Sequence, residues 1–320
     1  MHIVNGHERF PAGLRGGALA IGNFDGVHRG HQALIGTAVT EARRIGGPAG
    51  VMAFEPHPRE HFRPGEPHFR LTTLARKLAL LAKLGLDFTL VEPFDAALAA
   101  LSPEDFIGRV LIEKAGVRHV VIGYDFFFGR GRAGTPEHLS EAGRTLGFGV
   151  SIVAPVAAGG EPFSSSAIRL MLAQGDVKGA AHALGHRWRV AGAVVSGAHI
   201  GAGLGFPTAN IPLPRGTALG HGIYAVKVHL DRRTLDGAAY LGTRPTFDDG
   251  KPVLEVFLLD FEGDLYGREI EVELIDFVRA DRKFDGVAAL TAQMLADVAR
   301  VRAVLAAHDS RPASARLPLE

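Results

Sequence analysis

Hydrophobic positions in the first half of the chain form short continuous runs separated by segments with helical spacing. The runs are Ala18 to Ile21, Val51 to Phe54, Phe88 to Val91, Val117 to Ile122 and Val150 to Val153, each of a length that suits a strand buried in a parallel sheet. Between the first two, Leu34, Ile35, Ala38, Val39, Ala42 and Ile45 share one helical face, and helices are also expected from Leu74 to Leu84 and from Pro103 to Lys114. Ser102 is placed to cap the last of these with Pro103 at its first position, and Thr135 with Pro136 repeats the device. As far as about Val156 the pattern predicts a doubly wound α/β domain, with ligands beyond the carboxyl ends of its strands.

Helical spacing ends near Leu184, Gly185-His186 reads as a linker, and from Arg187 the period changes. Trp188 to Val195, Gly222 to Leu230, Ala238 to Leu241, Leu254 to Leu259 and Glu269 to Phe277 read as strands, the last alternating Ile270, Val272 and Leu274 with Glu269, Glu271 and Glu273. Turns at Asp249-Gly250 and Glu262-Gly263-Asp264 punctuate them. Short strands without intervening helices predict a small β-barrel, covered by a helix from about Val287 to Leu305. The expected division is a domain over 1–184, a second over 187–306, and a disordered tail over 307–320.

Composition narrows the function classes. At 320 residues two cores are expected, and a formal net charge of +1 gives no reason to look for nucleic acid or an acidic membrane. The absence of cysteine removes disulfides, thiol nucleophiles and cysteine-bound metals, and fits a reducing cytoplasm. No signal-peptide pattern opens the chain and no apolar run reaches the roughly 18 residues that span a bilayer. Oligomeric state is not readable.

The richest chemistry follows the first apolar run: Gly22-Asn23-Phe24-Asp25-Gly26-Val27-His28-Arg29-Gly30-His31. A strand, a tight glycine-bearing turn and a helix start offer backbone N–H groups to an anion. His28 and His31, three apart, share a face of the first turn and can donate to a polyphosphate, although His-x-Gly-His alone also fits surface histidines or half a metal site. Asn23 and Asp25 suit nucleotide hydroxyls or a hydrated magnesium ion. Three further segments stand at strand ends: Phe54-Glu55-Pro56-His57-Pro58, Gly123-Tyr124-Asp125-Phe126-Phe127-Phe128-Gly129-Arg130, and Ser164-Ser165-Ser166-Ala167-Ile168-Arg169. The aromatic loop invites a stacked planar ligand, and the serine run either caps a helix or brings Arg169 to a phosphate. His57-x-x-Glu60-His61 imitates a zinc-peptidase pattern, but Pro56, Pro58, Pro64 and Pro67 deny it the helix it needs.

Taken together these strings resemble bacterial bifunctional riboflavin kinase/FMN adenylyltransferases, from Ala18 to about Leu305. The resemblance implies a nucleotidyltransferase domain in which Gly22, Asn23, Phe24, Asp25, Gly30, Ser164, Ser165 and Ser166 bind nucleotide. It makes His28, His31 and Arg169 catalytic, and gives flavin contacts to Phe54, Pro56, His57, Asp125, Phe126 and Phe128. Ser166 stands where the family has threonine.

In the barrel, Leu204-Gly205-Phe206-Pro207-Thr208-Ala209-Asn210 fits either a capped turn or, through two neutral oxygens, a magnesium site. The resemblance implies the latter, with Gly205 and Pro207 at ATP, Thr208 and Asn210 at Mg²⁺, and Glu255 as base. Riboflavin attacks through an alcohol, which must lose a proton. Arg279, Lys283 and Phe284 match a flavin-covering segment, with Asp281 shorter than the usual glutamate. One departure stands out: Ile200-Gly201-Ala202 replaces an Arg-Gly-Arg of the family, which predicts weaker ATP use in the kinase step. The expected substrates are riboflavin, FMN and ATP, with FAD as product. The alternatives are a nucleotidyltransferase for another phosphate acceptor, or a barrel that only binds flavin.

Overall fold

The computed structural model describes residues 1–158, 160–197, 200–242 and 252–320, without the side chains of 158, 200 and 202. The expected Asp249-Gly250 turn lies outside these. The chain packs as two compact units, one formed by 1–67 with 72–164, the other by 68–71 with 165–320. Among the described residues no helix is long and apolar enough to cross a membrane.

The first unit is built on six parallel strands: β1 (His2–Asn5), β2 (Ala18–Ile21), β3 (Ala49–Glu55), β4 (Phe88–Pro93), β5 (His119–Gly123) and β6 (Gly149–Val153), in the order β1-β4-β3-β2-β5-β6. β2 is buried throughout, as its unbroken apolar run requires, and has β3 on one side and β5 on the other. Winding reverses there, so the carboxyl end of β2 is the switch point at which α/β sheets open a crevice for ligands. β1 escapes sequence reading because only Val4 of its four residues is buried. The caps form as expected: Ser102 Oγ accepts from Asp105 N at 3.0 Å and Thr135 Oγ1 from His138 N at 3.2 Å. After Asp105 the helix widens into a π-helix over Phe106–Lys114. A two-residue hairpin, β7 (Ala157–Ala158) and β8 (Glu161–Pro162), follows the sheet.

The second unit holds helices Ser165–Ala173 and Val177–Leu184, then antiparallel strands β9 (Arg189–Ala193), β10 (Thr208–Pro212), β11 (Gly222–Leu230), β12 (Arg233–Leu241), β13 (Val253–Leu258) and β14 (Glu269–Ala280). Their order is β10-β13-β12-β11-β14-β9, and Val195 N donates to Asn210 O at 2.9 Å to bring the sheet back on itself as a barrel. Of the stretch Leu204–Asn210, Leu204-Gly205 forms a turn and Thr208 to Asn210 begin strand β10, entered directly after Pro207. The terminal helix (Val287–Asp309) seats Val301 and Leu305 against Ala225 and Ile275. Gly185-His186 is not a free linker: His186 is 2% exposed and Gly185 O accepts from Leu319 N at 2.9 Å. Residues 307–320, expected to be a disordered end, instead fold back, with Leu319 buried and Glu320 paired to Arg187 at 3.2 Å. Buried Leu319 and ion pairs from Glu320 to Arg187 and from Asp309 to Lys227 anchor a segment whose composition alone reads as loose.

Candidate active site

Ile21 ends β2, and the chain turns through 22–27 before the helix Arg29–Ile45 begins. Phe24 and Val27 take left-handed φ angles of 48° and 46°. Such angles are strained, above all for a β-branched residue. Both side chains are fully buried, so packing holds a conformation that local preference resists. Asp25 is 3% exposed, and its Oδ1 accepts from Thr72 N at 3.1 Å and Thr72 Oγ1 at 3.3 Å, while Gly26 N donates to Thr72 Oγ1 at 3.1 Å. Lys77, equally buried, donates from Nζ to Asn23 O at 2.8 Å. Asp25 and Phe24 thus hold the loop from inside, while Gly22 and Asn23 are half-buried on it.

His28 caps the helix, its Nδ1 accepting from His31 N at 3.3 Å. In the neutral ring that leaves the proton on Nε2. The two imidazoles stack with 3.6 Å between centroids and 21° between planes, and Phe24 meets His31 edge-on at 5.3 Å. A Cβ at Gly30 would lie 3.1 Å from the His28 ring, so this position favours glycine. Burial first, then the charges of His28 and Lys77, hold His31 well below the ordinary imidazole value. Its Nδ1 is buried with no hydrogen-bond partner among the described residues. A polar ring, unsatisfied on one nitrogen at a helix start, is suited to an anionic ligand.

The neighbouring loops sort differently from their sequence. Phe54 is buried against Phe94, Pro56 is exposed, and His57 caps the short helix Pro58–Phe62 by accepting from Arg59 N at 3.1 Å. Phe128 belongs to the core, packed on Phe106, with Phe126 stacked on it at 5.6 Å. The rings left open are Tyr124 and Phe127, with Arg132 over Phe127 at 5.0 Å, and Asp125 is exposed beside them. Ser164 closes the first unit. Ser165, Ser166 and Arg169 lie in the second, where Arg169 Nε donates to Phe69 O at 2.6 Å and Nη2 lies 3.5 Å from His68 Nε2.

A cavity of about 280 Å³ lies between one face of the barrel strands and the terminal helix, and its wall includes Leu204, Thr208, Tyr240, Glu255, Phe257 and Met294. Glu255 of β13 stands directly opposite Asn210 of β10 and Tyr240 of β12. Cross-strand partners share a sheet face, so the carboxylate is flanked by an amide and a phenol. Leu254 and Val256 are fully buried on the other face. Gly205 turns at φ 86° before the exposed Pro207, and Asn210 Nδ2 donates to Thr208 O at 3.3 Å. Arg279 at the end of β14 and Asp281, Arg282 and Phe284 after it line the cavity, whereas Lys283 is exposed. Asp297 of the terminal helix also lines the cavity, with Gln293 one turn before it. Asp297 holds Arg279 Nη2 at 2.7 Å, and Gln293 accepts from Arg282 Nη2 at 2.6 Å. Sequence reading missed Thr72, Lys77, Tyr240, Arg282, Gln293 and Asp297, because no local motif marks them.

Residues 11–167 match the family model described as FAD synthetase, and 184–305 that described as riboflavin kinase. The bifunctional riboflavin kinase/FMN adenylyltransferase of Escherichia coli (strain K12) is 41% identical over 299 residues, 93% of this chain and 96% of the relative. That of Pseudomonas fluorescens is 40% identical over 96% of this chain and 98% of its own, and that of Bacillus subtilis (strain 168) 35% over 93% and 95%. A solved structure described as a macrolide-efflux protein from Streptococcus pneumoniae superposes with a TM-score of 0.83 at 29% identity, covering 94% of this chain and 99% of that one.

Proposed function

The chain belongs to the bifunctional riboflavin kinase/FMN adenylyltransferase family, and on that premise we propose how its residues divide two ATP-dependent steps. Riboflavin is phosphorylated to FMN, and FMN is adenylylated to FAD with release of pyrophosphate.

Adenylylation is assigned to the loop after β2. The phosphate of FMN is largely dianionic near neutral pH, its second pKa being about 6, so it attacks without a base. Alignment and charge stabilisation remain to be supplied, alignment alone being worth roughly 7–11 kcal/mol in favourable cases. His28 Nε2–H and the first-turn N–H groups are the donors we assign to the triphosphate, with His31 beside them and Arg169 adding charge. Asn23, Gly22 and the serine run are assigned to the nucleotide. The flavin is assigned to the loops at Phe54–His57 and Asp125–Phe128, with Tyr124 and Phe127 as added stacking surfaces.

Phosphorylation is assigned to the barrel cavity, and Glu255 in its wall carries that assignment. It takes the proton that the riboflavin alcohol must lose. Thr208 and Asn210, beside it, form an oxygen-bearing set that fits Mg²⁺. When bound, the ion would offset charge on the transferring phosphoryl group. The same reading carries a cytoplasmic placement. Chromatography of products from riboflavin and Mg-ATP over time tests the whole: FMN should appear first and FAD after it. Neither product, or adenylylation of a different phosphate acceptor, would overturn it.

A further inference from the structure

Arg279 reaches the cavity wall from the end of β14, and Asp297 reaches it from the terminal helix. Arg279 Nε donates to both carboxylate oxygens of Asp297, at 2.9 and 3.1 Å, and Nη2 donates to Oδ2 at 2.7 Å. This fork-to-fork geometry fixes the plane of a guanidinium as well as its position. Nη1 donates to Ala280 O at 2.9 Å, so the side chain is tied at both ends of the fork. Asp297 is itself held, since Gln293 Nε2 donates to its Oδ1 at 2.7 Å while Gln293 Oε1 accepts from Arg282 Nη2 at 2.6 Å. The amide thus faces the carboxylate with its nitrogen and the second guanidinium with its oxygen. Phe284 lies under both cations, 5.8 Å from Arg279 and 4.6 Å from Arg282.

We propose that Asp297 is a positioning residue for the kinase step, fixing Arg279 in the cavity wall, with Gln293 coupling that hold to Arg282. The proposal rests on the reading that Arg279 and Phe284 meet the flavin. Arginine is a long, rotamer-rich side chain, and a ligand that had to immobilise it would lose affinity. Asp297 is 5% exposed and spends its carboxylate on this hold. A wall residue fixed from behind in this way is ordered before the substrate arrives.

The test is a mutant cycle of R279A, D297N and R279A/D297N, reading kcat and KM for riboflavin phosphorylation. FMN adenylylation and the thermal midpoint of the same preparations serve as fold controls. D297N should lower kcat/KM by about 10- to 100-fold, chiefly through KM for riboflavin, and D297E should recover part of the loss. If Asp297 acts through Arg279, the double variant should be no worse than R279A within about twofold. Losses that multiply, or a D297N enzyme with normal kcat/KM, would overturn the proposal. Should D297N fail to fold, Q293M takes its place in the cycle, with a smaller loss in the same direction expected and an unchanged KM counting against. R279A at the wild-type rate would overturn both this proposal and the flavin reading beneath it, a result distinct from normal D297N beside a defective R279A.

Discussion

His28 and His31 lie face to face, 3.6 Å between ring centres, and the first caps the helix by accepting the backbone N–H of the second. One ring therefore shapes the helix start on which the other stands. Replacing both by alanine should lower FAD output from supplied FMN by at least about 100-fold, read by chromatography. Riboflavin phosphorylation should continue. Undiminished FAD output would remove the phosphate site from this loop.

Glu255 gives the matching prediction for the barrel. E255Q keeps the shape and removes the base, so riboflavin phosphorylation should fall by about 10²–10⁴, while adenylylation of supplied FMN stays at its usual rate. A kinase rate within a few-fold of normal would make the barrel a binding module.

The half-buried ring of His31 sets a pH dependence. Its ring is held neutral well below the ordinary imidazole value, by burial and then by His28 and Lys77. The unfolded ring takes up a proton near pH 6.5 and the native ring does not. The unfolded state thus binds more protons below that value, and stability falls as pH drops through the window beneath it. Denaturant midpoints of wild type and H31Q between pH 7.5 and 5 should converge or cross as pH falls, wild type losing more. K77M removes a positive neighbour and should raise the titration of His31 in an NMR pH series.

Gly201 lines the kinase cavity, but the side chains of Ile200 and Ala202 lie outside the described residues. Charge-assisted bonds to phosphate are worth about 1.5–3 kcal/mol each. Introducing I200R and A202R together should therefore lower KM for ATP in the kinase step and leave ATP use in adenylylation alone. Steady-state kinetics of each step checks it, and an unchanged KM would show that this segment does not meet the nucleotide.

Strands β2 to β6, β9 and β11 to β14, the caps at Ser102 and Thr135 and the loop after β2 were legible because each is written in consecutive residues or in one period. What supports the sites was not. Thr72 and Lys77 tie down Asp25 and Asn23 from about 50 positions away, and nothing in Leu74 to Leu84 distinguishes Lys77 from a solvated helix lysine. Gln293 and Asp297 likewise read as the polar face of a helix until the fold brings Arg279 and Arg282 to them. Phe128 looked like a ligand platform because loop aromatics are seldom buried, yet Phe106 gives it a core partner. Periodicity tells which face of an element is apolar, but not which distant residue completes a polar contact.

The alignment of β13 carries one more consequence. Leu254, Val256 and Leu258 alternate with Val253, Glu255 and Phe257 along it, the first three buried. Sliding the strand by a single position would drive a carboxylate into the oily side and empty the chemical side at once. Insertions or deletions here would be eliminated by misfolding before their effect on catalysis could be tested, so proofreading of the barrel and preservation of its activity are one and the same selection.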